Sequence, residues 1–302
     1  MTGFVFGRLR VGDSDLLRCP RDGARLSFNG GTDAGRLEDG VFSCTRCAAR
    51  WDLTHGVARL FDEADVKGTD RFMRSMYDVF HAAHDPAVRW LLPVFDSCDE
   101  ATLRDRFMGR LDLGALKPRP DGAPIRILEV GIGAGANLPL IDRDLPPELR
   151  ENGVEIWGLD LSLGMLADCE QALRRTGDER VRLFMGDAHA LPFAAGSFDR
   201  VFHVGGIGGY RDAKLALAEM ARVSIPGAPI VVVDEQLDPG QRSHLGHRLL
   251  FRLITFYDPD PHCPSELLPA DAEDIIEEQI SRYYYGLTFR CGERSPAGPN
   301  EL

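Results

Sequence analysis

The chain has 302 residues, 44% of them hydrophobic and 27% charged, with a formal net charge of −12. This is the composition of a globular protein with room for one full α/β domain and a smaller appendage. It offers no apolar run of the ~18–20 residues that cross a bilayer, no long apolar stretch in the opening MTGFVFGRLRVGDSD to mark a secretory leader, and no overall basic footprint for gripping nucleic-acid phosphates.

A cytoplasmic protein is therefore expected, and the sequence is silent on oligomeric state. The seven cysteines are odd in number and scattered, which argues against a disulfide framework.

Residues 1–65 are rich in Gly, Arg and Asp and read as a small β-type module. Val41-Phe42-Ser43 and Arg50-Trp51-Asp52-Leu53 are β-like, while Gly30-Gly31 and Asp39-Gly40 read as turns. Two short segments of matching spacing, Cys19-Pro20-Arg21-Asp22 and Cys44-Thr45-Arg46-Cys47, would bring four ligands around one tetrahedral zinc. Asp22 stands where a fourth cysteine is usual. Thiolates are softer and usually preferred, so a ribbon that has lost its metal is the alternative.

Residues 66–120 read as a helical lid or linker. Phe72, Met73, Met76, Tyr77, Phe80 and Ala83 recur at three- and four-residue spacing, and Pro86 and Pro93 interrupt the pattern. His81 and His84 read as lying on an exposed face. The Pro-rich LKPRPDGAP at 116–124 closes this part.

From residue 121 to 302 strands and helices alternate. Strands are predicted at 124–130 (PIRILEV), 154–161, 181–188, 198–204 and 229–235, with helices at about 162–176 and 212–223 between them. That order implies a parallel, doubly wound sheet with right-handed crossovers. Two further strands, 277–283 and 286–291, would meet at a tight turn of Tyr284-Tyr285-Gly286. Leu245, Leu249, Leu250, Leu253, Ile254 and Tyr257 follow helical spacing, read first as core packing and second as a cap over an apolar acceptor.

The first of these strands runs into Gly131-Ile132-Gly133-Ala134-Gly135. Such a loop brings backbone close to a ligand and points helix N–H groups at it. Its spacing also fits a dinucleotide fingerprint, but Glu129 weighs against that. A carboxylate beside the loop would repel a pyrophosphate and suits an ammonium or sulfonium. Asp160 closes the second strand and can accept two bonds from ribose hydroxyls. Asp187, in Gly186-Asp187-Ala188, can accept one from an adenine amino group; an ordinary turn is the bland reading.

With LEVGIGAG, GLDLSLGML, GDAHALPFAAGSFDRVF and ALAEMARVSIPGAPIVVVDE, residues 125–236 resemble the class I S-adenosylmethionine-dependent methyltransferases, in the group of the ubiquinone/menaquinone C-methyltransferases. The resemblance implies a Rossmann-like α/β fold with a seven-stranded sheet and an antiparallel last strand. It implies that Glu129, Gly131 and Gly133, with Gly135, face the methionine part of S-adenosyl-L-methionine. Asp160 would face the ribose and Met165 and Asp187 the adenine, with Leu161 and Ala188 as further cofactor contacts. It also casts the helical segment as a lid and Tyr77 as a cofactor contact. Residues 16–62 (CPRDGARL…FSCTRCAARWDLTHGVARLF) resemble the zinc-ribbon module of rRNA guanine methyltransferases and a small zinc-ribbon activator of tRNA and protein methyltransferases.

In a doubly wound sheet the reacting centre lies beyond the carboxyl ends of the strands. His203 ends the fourth strand and is the candidate general base, with a pocket-shaping role, including contact with the cofactor, as its alternative. Asp234 and Glu235 end the fifth, where a carboxylate could orient substrate. The expected function is methyl transfer to C, O or N of a small molecule. The rivals are an RNA methyltransferase that recognises its substrate through the ribbon, and a non-catalytic binding protein.

Overall fold

The structure, a computed structural model, describes residues 8–79, 98–151, 153–241 and 243–292. The expectations for Phe80, His81, Ala83, His84, Pro86 and Pro93 lie outside them. Short two-residue turns organise the N-terminal region. β1 (Leu26–Asp33) and β2 (Arg36–Cys44) pair around Ala34-Gly35; β3 (Arg50–Thr54) and β4 (Val57–Leu60) pair around His55-Gly56. All four turn residues have positive φ, from 46° to 78°, the twist that the tightest hairpins require.

Gly30-Gly31 and Asp39-Gly40 are not turns, contrary to the sequence reading. Both pairs lie inside strands, where Gly30 faces Gly40 beside a register shift. A Cβ on either glycine would sit 2.6–2.7 Å from the other's Cα. Glycine here permits a close approach of two backbones.

Residues 68–79 are helical (α1), and α2 spans Glu100–Met108. The alternation that follows is β5 (Ile125–Val130), α3 (Leu138–Asp144), α4 (Pro147–Arg150), β6 (Val154–Asp160), α5 (Leu163–Thr176), β7 (Val181–Gly186), β8 (Arg200–Val204), α6 (Ala213–Val223), β9 (Ile230–Glu235), α7 (Leu245–Ile254), β10 (Ala272–Gln279) and β11 (Tyr284–Cys291). The strands form one sheet in the order β1-β2-β3-β4-β7-β6-β5-β8-β9-β11-β10. From β7 to β9 neighbours are parallel, and β11 lies antiparallel to β9. This is the expected seven-stranded core with its last strand reversed. β5 sits where the strand order turns back, flanked by β6 and β8, so a crevice opens at its carboxyl end.

The terminal hairpin departs from expectation. Tyr284, Tyr285 and Gly286 are not the turn; they begin β11, paired with Glu235, Asp234 and Val233. Lying between β9 and β10, β11 is buried along most of its length, and aromatic residues suit such a strand. β10 carries Glu273, Asp274, Glu277 and Glu278 on the exposed edge, a charged border that discourages further strand addition.

The N-terminal strands are not a bead on a tether. β4 adds to the sheet in parallel with β7, through Arg59↔Met185 and Leu60↔Gly186, and covers what would otherwise be an open edge. Leu17, Phe42 and Trp51 share one buried cluster with Trp157, Phe184 and Phe193. A buried Asp13–Arg182 pair at 2.8 Å crosses the same junction. Among the described residues no helix is long and apolar enough to cross a membrane.

Candidate active-site cleft

A cavity of about 260 Å³ opens at the carboxyl ends of β5 to β9 and is closed over by α1 and α2. Tyr77, Glu129, Gly131, Gly133, Asp160, Leu161, Met165, Asp187, Ala188 and His203 all line it. Gly135 does not. A Cβ there would lie 2.7 Å from Cys169 Sγ and 2.9 Å from Leu138 Cδ1, so this glycine lets α3 and α5 pack behind the loop instead of touching what the loop holds.

The loop is anchored by Gly131 and Ile132, whose N–H groups donate to the Leu159 carbonyl. Gly131 (φ 73°) and Gly133 (φ 54°) are left-handed, and a Cβ at Gly133 would come 3.0 Å from Met165 Cε. Side chains at either position would fill the cradle. Asp160 braces it from β6: its carboxylate accepts from Gly133 N at 3.0 Å and Ser162 N at 2.8 Å. Burial pushes the Asp160 carboxyl up to about 6, against those N–H bonds, and nearby Asp78 adds to the rise. Ser162 Oγ caps α5 by accepting from Met165 N, a contribution of about 0.5–2 kcal/mol. Asp78, on α1, accepts from Ser162 Oγ at 2.7 Å and so ties the covering helix to the cleft.

Glu129 is fully buried. One carboxyl oxygen accepts from Asn137 Nδ2 at 2.6 Å, while the other, Oε2, has no hydrogen-bond partner among the described residues. Asn137 is in turn held by Arg104, which pairs with Glu100 at 2.7 Å. Burial pushes Glu129 up to about 8, and the Asn137 bond and the Arg104 charge offset only part of that. Below that pH the cleft thus holds a neutral carboxyl, which an approaching cation would favour in its ionised form.

At the other end Asp187 is committed to its own chain. Oδ1 meets His189 Nδ1 at 2.6 Å and Oδ2 meets Arg211 at 2.6 Å. Burial alone would raise its pKa, but these bonds outweigh it and bring the carboxyl down to about 2. Arg211 also holds Asp70 on α1. Asp187 first builds this wall, and any contact with an adenine uses lone pairs that the network leaves over.

His203 is buried, with Nδ1 2.7 Å from the Val130 carbonyl. A ring nitrogen facing a carbonyl carries the proton, so Nε2 presents its lone pair, and Nε2 has no partner among the described residues. Burial lowers the His203 pKa below its ordinary 6.5. The ring packs on the loop, 3.3 Å from where a Gly131 Cβ would be. Asp234 accepts from Gly206 N and Gly208 N, each at 2.8 Å, pinning the glycine-rich segment after β8. Beside it Glu235 accepts from the Tyr257 hydroxyl at 2.8 Å. Burial, then the Asp234 charge, hold Glu235 well above the usual carboxylate range.

Arg104, Asn137, Asp70 and Arg211 escaped the sequence reading. Each meets a partner distant along the chain, so no local spacing marks it. A face of α1 did carry a signal: Asp70, Met73, Arg74 and Tyr77 line the cleft at the spacing of one helix side.

Away from the cleft, one ligand atom from each of Cys19, Asp22, Cys44 and Cys47 lies within 4.8 Å of all the others. Cys19 Sγ and Cys47 Sγ are 3.7 Å apart, which matches the ~3.8 Å that tetrahedral zinc with Zn–S bonds near 2.3 Å requires. Arg46 N and Cys47 N donate to Cys44 Sγ at 3.3 and 3.4 Å. Against the rise from burial, these N–H groups lower the Cys44 pKa, favouring the thiolate a metal needs. The fourth donor is engaged, with Arg46 Nε 3.0 Å from Asp22 Oδ2. The donor set fits zinc.

The sheet order and reversed last strand define a Rossmann-like α/β fold, with an acid-flanked glycine cradle at the carboxyl end of β5. Residues 128–232 match the methyltransferase domain family. The chain is 33% identical over 176 residues to a demethylmenaquinone methyltransferase of Beutenbergia cavernae, covering 58% of this chain and 65% of that one. A demethylmenaquinone methyltransferase of Thermus thermophilus is 35% identical over 132 residues, covering 44% and 57%. The chain thus spans less than two thirds of these relatives' length. Phosphoethanolamine N-methyltransferase 2 of Haemonchus contortus, solved with S-adenosyl-L-methionine, shares the fold at a TM-score of 0.55 and 15% identity, over 76% of this chain and 61% of that one.

Proposed function

We propose that the chain binds S-adenosyl-L-methionine in the cleft and transfers its methyl group to a small-molecule acceptor. The observation that carries this reading is the buried Glu129 Oε2 beside the glycine cradle, without a hydrogen-bond partner among the described residues. When bound, the cofactor supplies a methyl on a cationic sulfonium, open to in-line displacement. Glu129 receives the ammonium, the Gly131–Gly133 backbone lies against the methionine part, and Asp160 receives the ribose hydroxyls. Met165, Leu161 and Ala188 wall the nucleoside, Tyr77 covers it, and Asp187 shapes the adenine end. His203, Glu235 and Tyr257 face the acceptor. The demethylmenaquinone names of its relatives and the net charge of −12 support a small-molecule acceptor over RNA.

Calorimetry is expected to show S-adenosyl-L-methionine binding and no NAD binding. NAD binding the tighter of the two would overturn the reading. Asp160→Ala should cost about 1.5–3 kcal/mol per charge-assisted bond lost, and unchanged affinity removes Asp160 from the site. Turnover of labelled cofactor with a demethylated quinone and other apolar acceptors tests catalysis. Salt-sensitive RNA binding with RNA methylation would favour the nucleic-acid alternative.

A zinc ion is proposed for Cys19, Asp22, Cys44 and Cys47, in a structural role, since none of the four lines the cleft. Protein purified without added metal should contain about one equivalent by elemental analysis. Cys44→Ser should lose the zinc and lower Tm, with cofactor affinity little changed. Zinc well below one equivalent in the wild type favours the metal-free ribbon.

A further inference from the structure

Along α7 three of the four leucines face water. Leu245, Leu249 and Leu253 form one stripe at four-residue spacing and are 84%, 71% and 69% exposed. The inward side uses other residues: Phe251 stacks on Tyr283 at 5.7 Å, and His247 meets Arg282. This reverses the usual amphipathic order, in which leucines turn to the core, so the core-packing reading of these three residues is corrected. Phe256 (52% exposed) follows three residues on and meets Phe72 (56% exposed) edge-on at 6.2 Å. Tyr257 and Met73, next to them in sequence, line the cleft. The apolar stripe therefore leads to the cavity rim.

Its charge is as unusual as its exposure. The stretch 239–257 holds three arginines, two histidines and no acid, within a chain of 47 acids and net charge −12. Arg248 and Arg252 are exposed. Arg252 donates only to the Asp258 and Pro259 carbonyls, and neither arginine is in an ion pair among the described residues. A leucine stripe beside uncompensated arginines is the pattern of helices that lie in a lipid interface.

We infer that the outer face of α7 docks this chain on an anionic bilayer, with the leucine stripe in the headgroup–acyl boundary and Arg248 and Arg252 on lipid phosphates. The rest of the chain is net acidic and is repelled, which leaves this face as the one turned to lipid. A second copy of the chain suits the face less, because a two-fold contact would set arginine against arginine. Docking places the Phe72–Phe256 rim at the lipid. That this admits an apolar acceptor rests on the methyl-transfer reading; the docking does not.

The test uses the full chain and vesicles of phosphatidylcholine alone or mixed with phosphatidylglycerol. The chain should sediment with the mixed vesicles, less so as salt rises, and not with phosphatidylcholine alone. Leu249→Glu/Leu253→Glu should abolish sedimentation. Arg248→Gln/Arg252→Gln should weaken it about 30-fold, at roughly 1 kcal/mol for each arginine near the surface. Both variants change exposed side chains, and S-adenosyl-L-methionine affinity, measured in parallel, should stay at the wild-type value. No sedimentation with either vesicle, variants that sediment like the wild type, or a dimer by light scattering that the leucine variant dissociates would each overturn the docking. Failure of the wild type to bind the cofactor would sink the methyl-transfer reading and leave the vesicle result standing.

Discussion

Glu129→Gln should weaken S-adenosyl-L-methionine binding by between about 30- and 4,000-fold. The substitution keeps an oxygen for the Asn137 amide, which lies 2.6 Å from Oε1, and removes only the charge that would meet the ammonium. Losing one partner of a buried charge pair costs about 2–5 kcal/mol, and each 1.4 kcal/mol is tenfold. The same residue sets a pH dependence. In the free protein burial holds Glu129 up to about 8, so below that pH the acid is neutral and cofactor binding must expel its proton. Affinity should rise with pH up to about 8, by at most tenfold per pH unit, and then level off. The Gln variant should lack this slope. Cofactor-free stability should move oppositely: the contribution from neutral Glu129 is full below its ordinary 4.5 and is lost as pH climbs to about 8. Calorimetry across pH 6–9 on both proteins checks the binding claim, and a Gln variant that binds like the wild type at pH 8 removes Glu129 from the ammonium site.

What the sequence made legible was local. Strand β5 flowing into the Gly131–Gly133 cradle, Ser162 capping α5 and Asp160 closing β6 all depend on neighbours within a few residues, and spacing reveals them. Two expectations failed where local chemistry had two meanings. Gly30 and Gly40 look like turn residues, yet each is small because the other's backbone is close. Tyr284-Tyr285-Gly286 looked like a hairpin tip, yet Tyr285 is drawn into the core by the burial of β11 between two strands. The site was legible in its acids and glycines but not in what sets their charge state. Arg104 reaches Asn137 from another helix, and Arg211 clamps Asp70 and Asp187 together. Those are tertiary facts: burial keeps Glu129 neutral below about 8 against the pull of Asn137 and Arg104, while His189 and Arg211 hold Asp187 ionised and occupied. The outward leucines of α7 show the same gap: helical spacing gave the stripe, but only the packed neighbours Phe251 and Tyr283 reveal which side of the helix is turned inward.

His203→Ala should lower turnover by ~10²–10⁴-fold for an acceptor that must lose a proton, the usual range for removing a general base. The geometry gives the reason. With Nδ1 held on the Val130 carbonyl, Nε2 carries the free lone pair, and it is buried at the cleft without a partner among the described residues. Burial lowers the His203 pKa, so the ring is already neutral at pH 7 and needs no prior deprotonation. Turnover of the wild type should therefore rise with pH along a limb lying below 6.5 and be flat near neutrality, and the alanine variant should lack that limb. Cofactor affinity should change only a few-fold. The competing role is structural, since the ring also packs against Gly131. If shaping the loop is what His203 does, the variant will lose cofactor affinity and keep the pH limb. Measuring both quantities on one variant separates the two roles, because a general base moves the pH profile and a loop support moves the affinity. A variant with full turnover and wild-type affinity would exclude both and leave alignment of acceptor and methyl group as the source of rate.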